Sequence, residues 1–273
     1  GVAASAQEAA RVYPLTLTTG SRLVIEAKIN GRPVSALLDS AAEATFLDRG
    51  FAHALGLKGG EAVAGQGSGQ AAFETTLVSG VTLEAVGLSL TDQTVGVTDL
   101  GDVGRRLLGH PIDVILGREI FDAARLAIDI DGHSIAVVTR AHEPRGVRLE
   151  LVTEHGIETL PASVPGSAPV RATFDLGNGS QVLISRALAE RLKLLGAGNA
   201  VRTERGGGLG GETERQVVTL SYLELAGRRF TGIEAAVDPQ PSASDLNVGV
   251  SVLRHFRITT DYAQHAVWLE PRD

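Results

Sequence analysis

Two aspartates stand at the same kind of place in the two halves of this 273-residue chain. Asp39 closes the run Val34-Ser35-Ala36-Leu37-Leu38, and Asp175 closes Val170-Arg171-Ala172-Thr173-Phe174. Small or turn-forming residues follow each, Ser40-Ala41-Ala42 after the first and Leu176-Gly177-Asn178-Gly179-Ser180 after the second. An isolated aspartate at a strand end is ordinarily a turn or cap residue. A pair brought face to face is different. Two carboxyls within hydrogen-bonding distance do not both ionise readily, so they share a proton. One then acts as base toward a water while the other donates a proton, the combination that amide hydrolysis requires.

An internal repeat supplies the means of bringing them together. Placing Asp129 over Asp261, an offset of 132, matches Gly117 with Gly249, Leu126 with Ile258, His133 with His265 and Val137 with Leu269 without a gap. Placing Asp39 over Asp175, an offset of 136, matches Val34 with Val170 and Ala36 with Ala172. After one inserted residue, Arg49 meets Arg186 and Leu57 meets Leu194. The period is far above that of solenoid repeats and implies two lobes, not an array. The charged, Pro-containing stretch from Thr139 to Gly146 suits the boundary. The expected organisation is a flexible N-terminus at 1–12, one lobe at 13–142 and a second at 143–273.

The elements are expected to be mostly short strands. Leu15 to Thr18, Arg22 to Lys28 and Pro33 to Leu38 read as strands, with Asn30-Gly31 as a hairpin turn. Arg49 to Leu57 reads as a short helix capped by Asp48, and Arg186 to Leu194 as its counterpart capped by Ser185. Asp113 to Leu116 is a compact strand closed by Gly117, and Ala124 to Val138 a hairpin around Asp131-Gly132. Val147 to Val152, Ile157 to Val164 and Val170 to Phe174 open the second copy. Many short strands joined by Gly, Asn and Asp turns indicate a mostly β protein with a few short helices.

The pieces Leu37-Leu38-Asp39-Ser40-Ala41, Ile115-Leu116-Gly117, Phe174-Asp175-Leu176-Gly177 and the closing Gly249 to Leu269 segment resemble aspartic peptidases of the retropepsin and pepsin-like kind, in a single-chain, two-lobe form. The resemblance runs from about Leu15 to Pro271. It implies two pseudo-twofold-related β-barrel lobes with a peptide-binding cleft between them. It makes Asp39 and Asp175 the catalytic pair, with Ser40 and Gly177 supporting them and Gly117 and Gly249 at the crossover behind. It also makes the glycine-rich stretches substrate-covering flaps, with Gly67, Ser68 and Gly69 at one tip and Gly208 and Leu209 at the other. Glycine lets such a tip bend and bring backbone N–H groups to a peptide. The family motif is Asp-Thr/Ser-Gly. Here Ala41 replaces the first glycine and Leu176 the second hydroxyl, so Ser40 is expected to make only its half of the hydroxyl lattice beneath the pair. Those departures leave an alternative open, a catalytically silent peptide- or protein-binding module on the same fold.

Other chemistries find no support. Cysteine is absent, which removes disulfides, thiolate nucleophiles and cysteine-ligated metals. The seven histidines form no HExxH pattern, so no metal or cofactor is expected. Gly206 to Gly211 fits a dinucleotide fingerprint in letters, but a strand, not a helix, is expected after it. Neither Ser68 nor Ser180 sits in a strand–Ser–helix elbow. The net charge of −7 with no basic run gives no footprint for nucleic acid, and no apolar run is long enough to span a membrane as a helix. The partner expected is a polypeptide substrate, met by a monomer that is an internal pseudo-dimer. Asp129 and Asp261, also repeat mates, are expected to be structural. The chain opens on Gly1 and contains no methionine, so it reads as processed; Ala4-Ser5-Ala6 has the look of a signal-peptidase site and suggests export to the periplasm or beyond.

Overall fold

The computed structural model describes residues 10–66, 72–196, 198–206, 212–240, 242 and 244–273. Half of the chain is strand and 13% is helix, which fixes the class as mostly β. One eight-stranded sheet runs in the order Thr16–Leu17, Leu23–Ile29, Arg32–Leu38, Val114–Leu116, Phe46–Asp48, Leu88–Thr98, Ala72–Ala85, Glu61–Gln66. A further pairing, Ala27 opposite Ala85, joins the second strand to the seventh and closes six strands into a barrel. The second copy repeats the order with Val152–Glu154, Ile157–Ala162, Val170–Phe174, Leu246–Val248, Val182–Ser185, Arg228–Asp238, Thr213–Leu225 and Arg202–Gly206. Its ring is closed by a single bridge between Ser163 and Glu224, whose two backbone hydrogen bonds measure 3.0 and 2.8 Å.

A third sheet of six strands takes three from each half: Val12–Pro14, Ser134–Val137, Leu126–Asp129, Phe256–Asp261, Ala266–Pro271 and Val147–Glu150. At its centre Leu126–Asp129 pairs antiparallel with Phe256–Asp261, and Ala127 lies opposite Thr259. These two residues are separated by the repeat offset itself, so the pseudo-twofold axis passes between them. One large core draws apolar residues from both halves and includes the fully buried Phe121, Phe174 and Phe256, while Leu37, Leu100, Val103, Ile112 and Ile115 form a second, small cluster.

The capped helices are shorter than expected. Arg49–Ala54 is capped by the Asp48 carboxylate on Gly50 N, and Arg186–Arg191 by the Ser185 hydroxyl on Leu188 N. A third helix, Gly101–Leu108, is hidden in the sequence by Gly101 and Gly104, poor helix formers. Gly104 is there for packing, because a Cβ would lie 2.7 Å from the Ile112 backbone nitrogen. Asn30 (φ 49°) and Gly31 (φ 80°) form the left-handed turn expected of that pair. In the hairpin after Asp129, however, His133 (φ 57°) takes the left-handed position, not Gly132. The loop runs to four residues because Asp129 pairs with Ser134, and its repeat mate His265 (φ 52°) does the same. The predicted strand Val147 to Val152 is broken at the buried Leu151, whose N–H donates to the His265 carbonyl.

Candidate active site

Each aspartate is delivered by the same device. The strand Arg32–Leu38 lies parallel to Val114–Leu116, and Val170–Phe174 lies parallel to Leu246–Val248. Beyond the last pair in each, Asp39 N donates to the Leu116 carbonyl at 2.9 Å and Asp175 N to the Val248 carbonyl at 3.0 Å. Each side chain then folds back on its own turn. Asp39 Oδ1 accepts from Ala41 N and Asp175 Oδ1 from Gly177 N, both at 2.9 Å. Matching backbone bonds on matching residues give the two carboxyls equivalent starting positions. They meet at the seam between the halves, where Asp175 acts on Asp39 as a like charge and as a hydrogen-bond partner.

The fit is close. A Cβ added to Gly177 would lie 2.5 Å from Asp39 Oδ1 and 2.6 Å from Oδ2, so the Asp39 carboxyl rests against bare backbone of the opposite half. Gly177→Ala is therefore expected to cost about 1–3 kcal/mol by overpacking. A urea titration beside the wild type checks this, and an unchanged midpoint would contradict the contact. Ala41, the residue in the equivalent turn, does not adopt a positive φ, so alanine there carries no backbone strain.

The hydroxyl lattice beneath the pair is one-sided, as Leu176 implies. Ser40 is buried; its Oγ donates to the Phe174 carbonyl at 2.9 Å and accepts from Leu176 N at 2.8 Å. Leu176 is itself fully buried in the core. A contact not read from the sequence steadies the same turn: the buried Tyr262 hydroxyl donates to the Ser40 carbonyl at 3.2 Å, its ring stacked on Phe121. Burial pushes the Tyr262 hydroxyl well above its ordinary range and keeps it a donor.

Asn247, two residues before Gly249, faces Asp175. Asn247 Nδ2 donates to Asp175 Oδ2 at 2.8 Å, and Asn247 Oδ1 accepts from Asn178 Nδ2 at 2.9 Å, which fixes the amide's orientation. The repeat equivalent behind Asp39 is Ile115, which has nothing to donate. Arg22 adds to the asymmetry. Its Nη1 donates to the Gly177 carbonyl at 2.6 Å, and its charge acts on Asp175 more than on Asp39. Its repeat equivalent is Glu158, held by Arg118 Nη2 at 3.0 Å and by the Thr153 hydroxyl at 2.7 Å. Asp39 keeps an edge toward solvent, yet the protein packed around it pushes its carboxyl well above the usual carboxylate range, and the charge of Asp175 adds to that.

Gly117 and Gly249 lie behind the pair. A Cβ on Gly117 would lie 2.6 Å from the Ala44 carbonyl oxygen, and one on Gly249 would collide with the Asn178 backbone. Two hairpins lead to the stretches read as flap tips. Glu61–Gln66 pairs with Ala72–Ala85, and Arg202–Gly206 with Thr213–Leu225. The tip residues Gly67, Ser68, Gly69, Gly208 and Leu209 lie outside the described residues. Among the described residues no cluster of three or more metal-ligating side chains occurs, and no helix is long and apolar enough to cross a membrane.

Two barrel lobes about a pseudo-twofold axis, with an aspartate turn from each at the seam, define an aspartic-protease architecture. The aspartyl protease family model matches residues 25–120 and 160–252, once on each copy and together over more than half of the chain. The chain belongs to the aspartyl protease family. No match to it is found among curated proteins.

Proposed function

We propose that the protein is an aspartic endopeptidase that hydrolyses peptide bonds with a water activated between Asp39 and Asp175. The observation that carries this reading is the meeting of the two carboxyls, one from each half, at the seam. The raised Asp39 carboxyl holds the proton of the pair. On Asp175, Gly177 N and Asn247 Nδ2 donate to the two carboxyl oxygens. Asp175 is thus the base and Asp39 the acid. Water gives a proton to Asp175 as its oxygen bonds to the carbonyl carbon, and Asp39 passes its proton to the carbonyl oxygen. The tetrahedral diol collapses as its C–N bond breaks. The proton on Asp175 goes to the leaving amine, and a diol hydroxyl proton returns to Asp39.

No second copy is needed, because one chain supplies both aspartates. Ser40 and Tyr262 hold the first turn, and the absent second hydroxyl leaves that lattice without one hydrogen bond, ordinarily worth about 0.5–1.5 kcal/mol. That is small beside the interactions that retain the pair.

Incubation with an unfolded polypeptide tests the reading. Wild-type protein is expected to cleave it between about pH 3 and pH 7. Asn247→Leu removes a hydrogen bond to a charged carboxylate, ordinarily worth about 1.5–3 kcal/mol, so kcat/KM should fall about 10- to 100-fold. Intact substrate at every pH, alongside measurable peptide binding, would favour the silent binding module.

A further inference from the structure

Gly177 touches both carboxyls. Its N–H donates to Asp175 Oδ1 at 2.9 Å, and its bare Cα takes the Asp39 carboxyl. Its own carbonyl is held from the first half, by Arg22 Nη1 at 2.6 Å. Arg22 stands on a closed turn: its N–H donates to the Thr18 hydroxyl at 3.0 Å, and its carbonyl accepts from Thr18 N at 2.9 Å. Gly179 permits the approach, since a Cβ there would lie 2.5 Å from the Gly20 and Ser21 carbonyl oxygens and 2.9 Å from Arg22 Nε. Two side chains of the first half thus hold the Asp175 turn. Ser40 takes the Phe174 carbonyl and the Leu176 N–H, and Arg22 takes the Gly177 carbonyl. The second half returns no such tie to the Asp39 turn through the matching residues. Leu176 has no hydroxyl, and Glu158, the repeat mate of Arg22, is itself held by Arg118 and Thr153. A neutral carbonyl alone does not call for a guanidinium. Arg22 Nε is buried without an acceptor, and withholding a cation from water in that way is costly. The carboxyls that favour its charge are those of Asp175 and Asp39.

We propose that Arg22 is a positioning residue of the aspartate pair: by fixing the Gly177 peptide from the opposite half, it sets the placement of the two carboxyls and supplies the tie that Leu176 cannot. A guanidinium suits the task because its planar fork fixes a direction, where an ammonium is a point charge on a flexible stem. Its charge also opposes that of the pair and so favours release of the shared proton. Among the described residues, the other titratable groups set around it are Arg106, whose charge acts on Arg22 and which pairs with Asp102 at 3.0 Å, and Tyr262, on which Glu158, Arg118, Asp122 and Asp39 act. The role rests on the aspartic peptidase reading, since there the placement of the carboxyls governs the reaction.

The experiment compares the full chain with Arg22→Met, which keeps the apolar length of the side chain but neither donor nor charge, and with Arg22→Lys. Cleavage of an unfolded, fluorescently quenched polypeptide is followed across pH, and the Asp39 carboxyl is titrated separately by its carbon-13 resonance. In Arg22→Met, kcat is expected to fall about 10- to 100-fold with KM nearly unchanged. The alkaline limb of kcat/KM and the Asp39 titration should both move to higher pH, because the cation that favours ionisation is gone. Arg22→Lys should keep the wild-type limb and recover only part of kcat. A residue that merely braced the fold would lower the melting temperature and leave kcat, the limb and the titration in place. Wild-type kcat in Arg22→Met, or a loss carried by KM alone, overturns the positioning role. Should Arg22→Met fail to fold, Arg22→Lys decides, and wild-type kcat there overturns it. Absence of cleavage by wild-type protein, with the Asp39 titration still shifted in Arg22→Met, overturns the peptidase reading and leaves the tie standing; absence of both overturns both.

Discussion

Asp39→Asn is expected to remove proteolysis and, at neutral pH, to raise thermal stability. The activity loss follows from the role of the shared proton: an amide cannot accept and return it, and loss of a positioned acid–base group costs about 10²–10⁴-fold. The stability gain follows from the raised carboxyl. A carboxyl whose folded-state pKa exceeds its unfolded value, about 3.9, binds its proton more tightly in the native protein. Its stabilising contribution is complete below the unfolded value and is lost as pH rises through the folded one. Above that pH the native state bears a disfavoured charge beside Asp175, and asparagine relieves it. Melting temperatures of wild type and variant should therefore separate as pH rises from about 4 toward 7, the variant melting higher. A variant that melts at or below wild type at pH 7 would show that Asp39 is not held against its preferred ionisation.

Asp261→Asn is expected to produce the largest loss of stability. Asp261 is fully buried, accepts from Arg125 Nε at 3.1 Å and Arg140 Nε at 2.7 Å, and caps the turn Tyr262–Gln264. Burial alone would raise its carboxyl, but the two guanidiniums together hold it below the usual range. Arg140 is 44% exposed, so solvent screens its share. Arg125, at 4%, is the partner that matters. It reaches Asp261 across the seam between the halves, and its guanidinium lies over the Trp268 ring with 4.7 Å to the centroid. Removing the carboxylate strands a buried cation, which costs about 3–5 kcal/mol. Because the folded pKa is depressed, this stability is present above the unfolded value, about 3.9, and is lost as pH falls through the folded one. Urea midpoints at about pH 7 and pH 3 should show the wild-type advantage shrinking in acid. A variant with wild-type midpoints at both would contradict the ion pair.

The repeat made the architecture legible in the sequence. Two aspartates at matched strand ends, carried by copies of one unit, required a twofold arrangement, and the central pair of Ala127 and Thr259 falls where the offset puts it. The turns at Asn30-Gly31 and the caps at Asp48 and Ser185 were legible too, because each depends on local chemistry alone. What escaped depends on partners distant in sequence. Arg22 reads as an ordinary strand-edge cation until Gly177 and Gly179, more than 150 residues away, are set beside it. Tyr262 reads as a core aromatic until its hydroxyl is seen on Ser40, and the helix Gly101–Leu108 is dictated by packing against local propensity. Asn247 stands in the sequence as a polar residue between Leu246 and Val248. Only the fold shows that it turns toward Asp175.

The central antiparallel pair of the shared sheet is the junction that two identical subunits would make about a true dyad. In such a homodimer every substitution appears twice, so whatever stands behind one acid stands behind the other. Covalent joining removes that constraint. Ile115 and Asn247, or Arg22 and Glu158, occupy equivalent stations yet differ in kind. Fusion thus permits a division of labour between the aspartates that no symmetric assembly encodes.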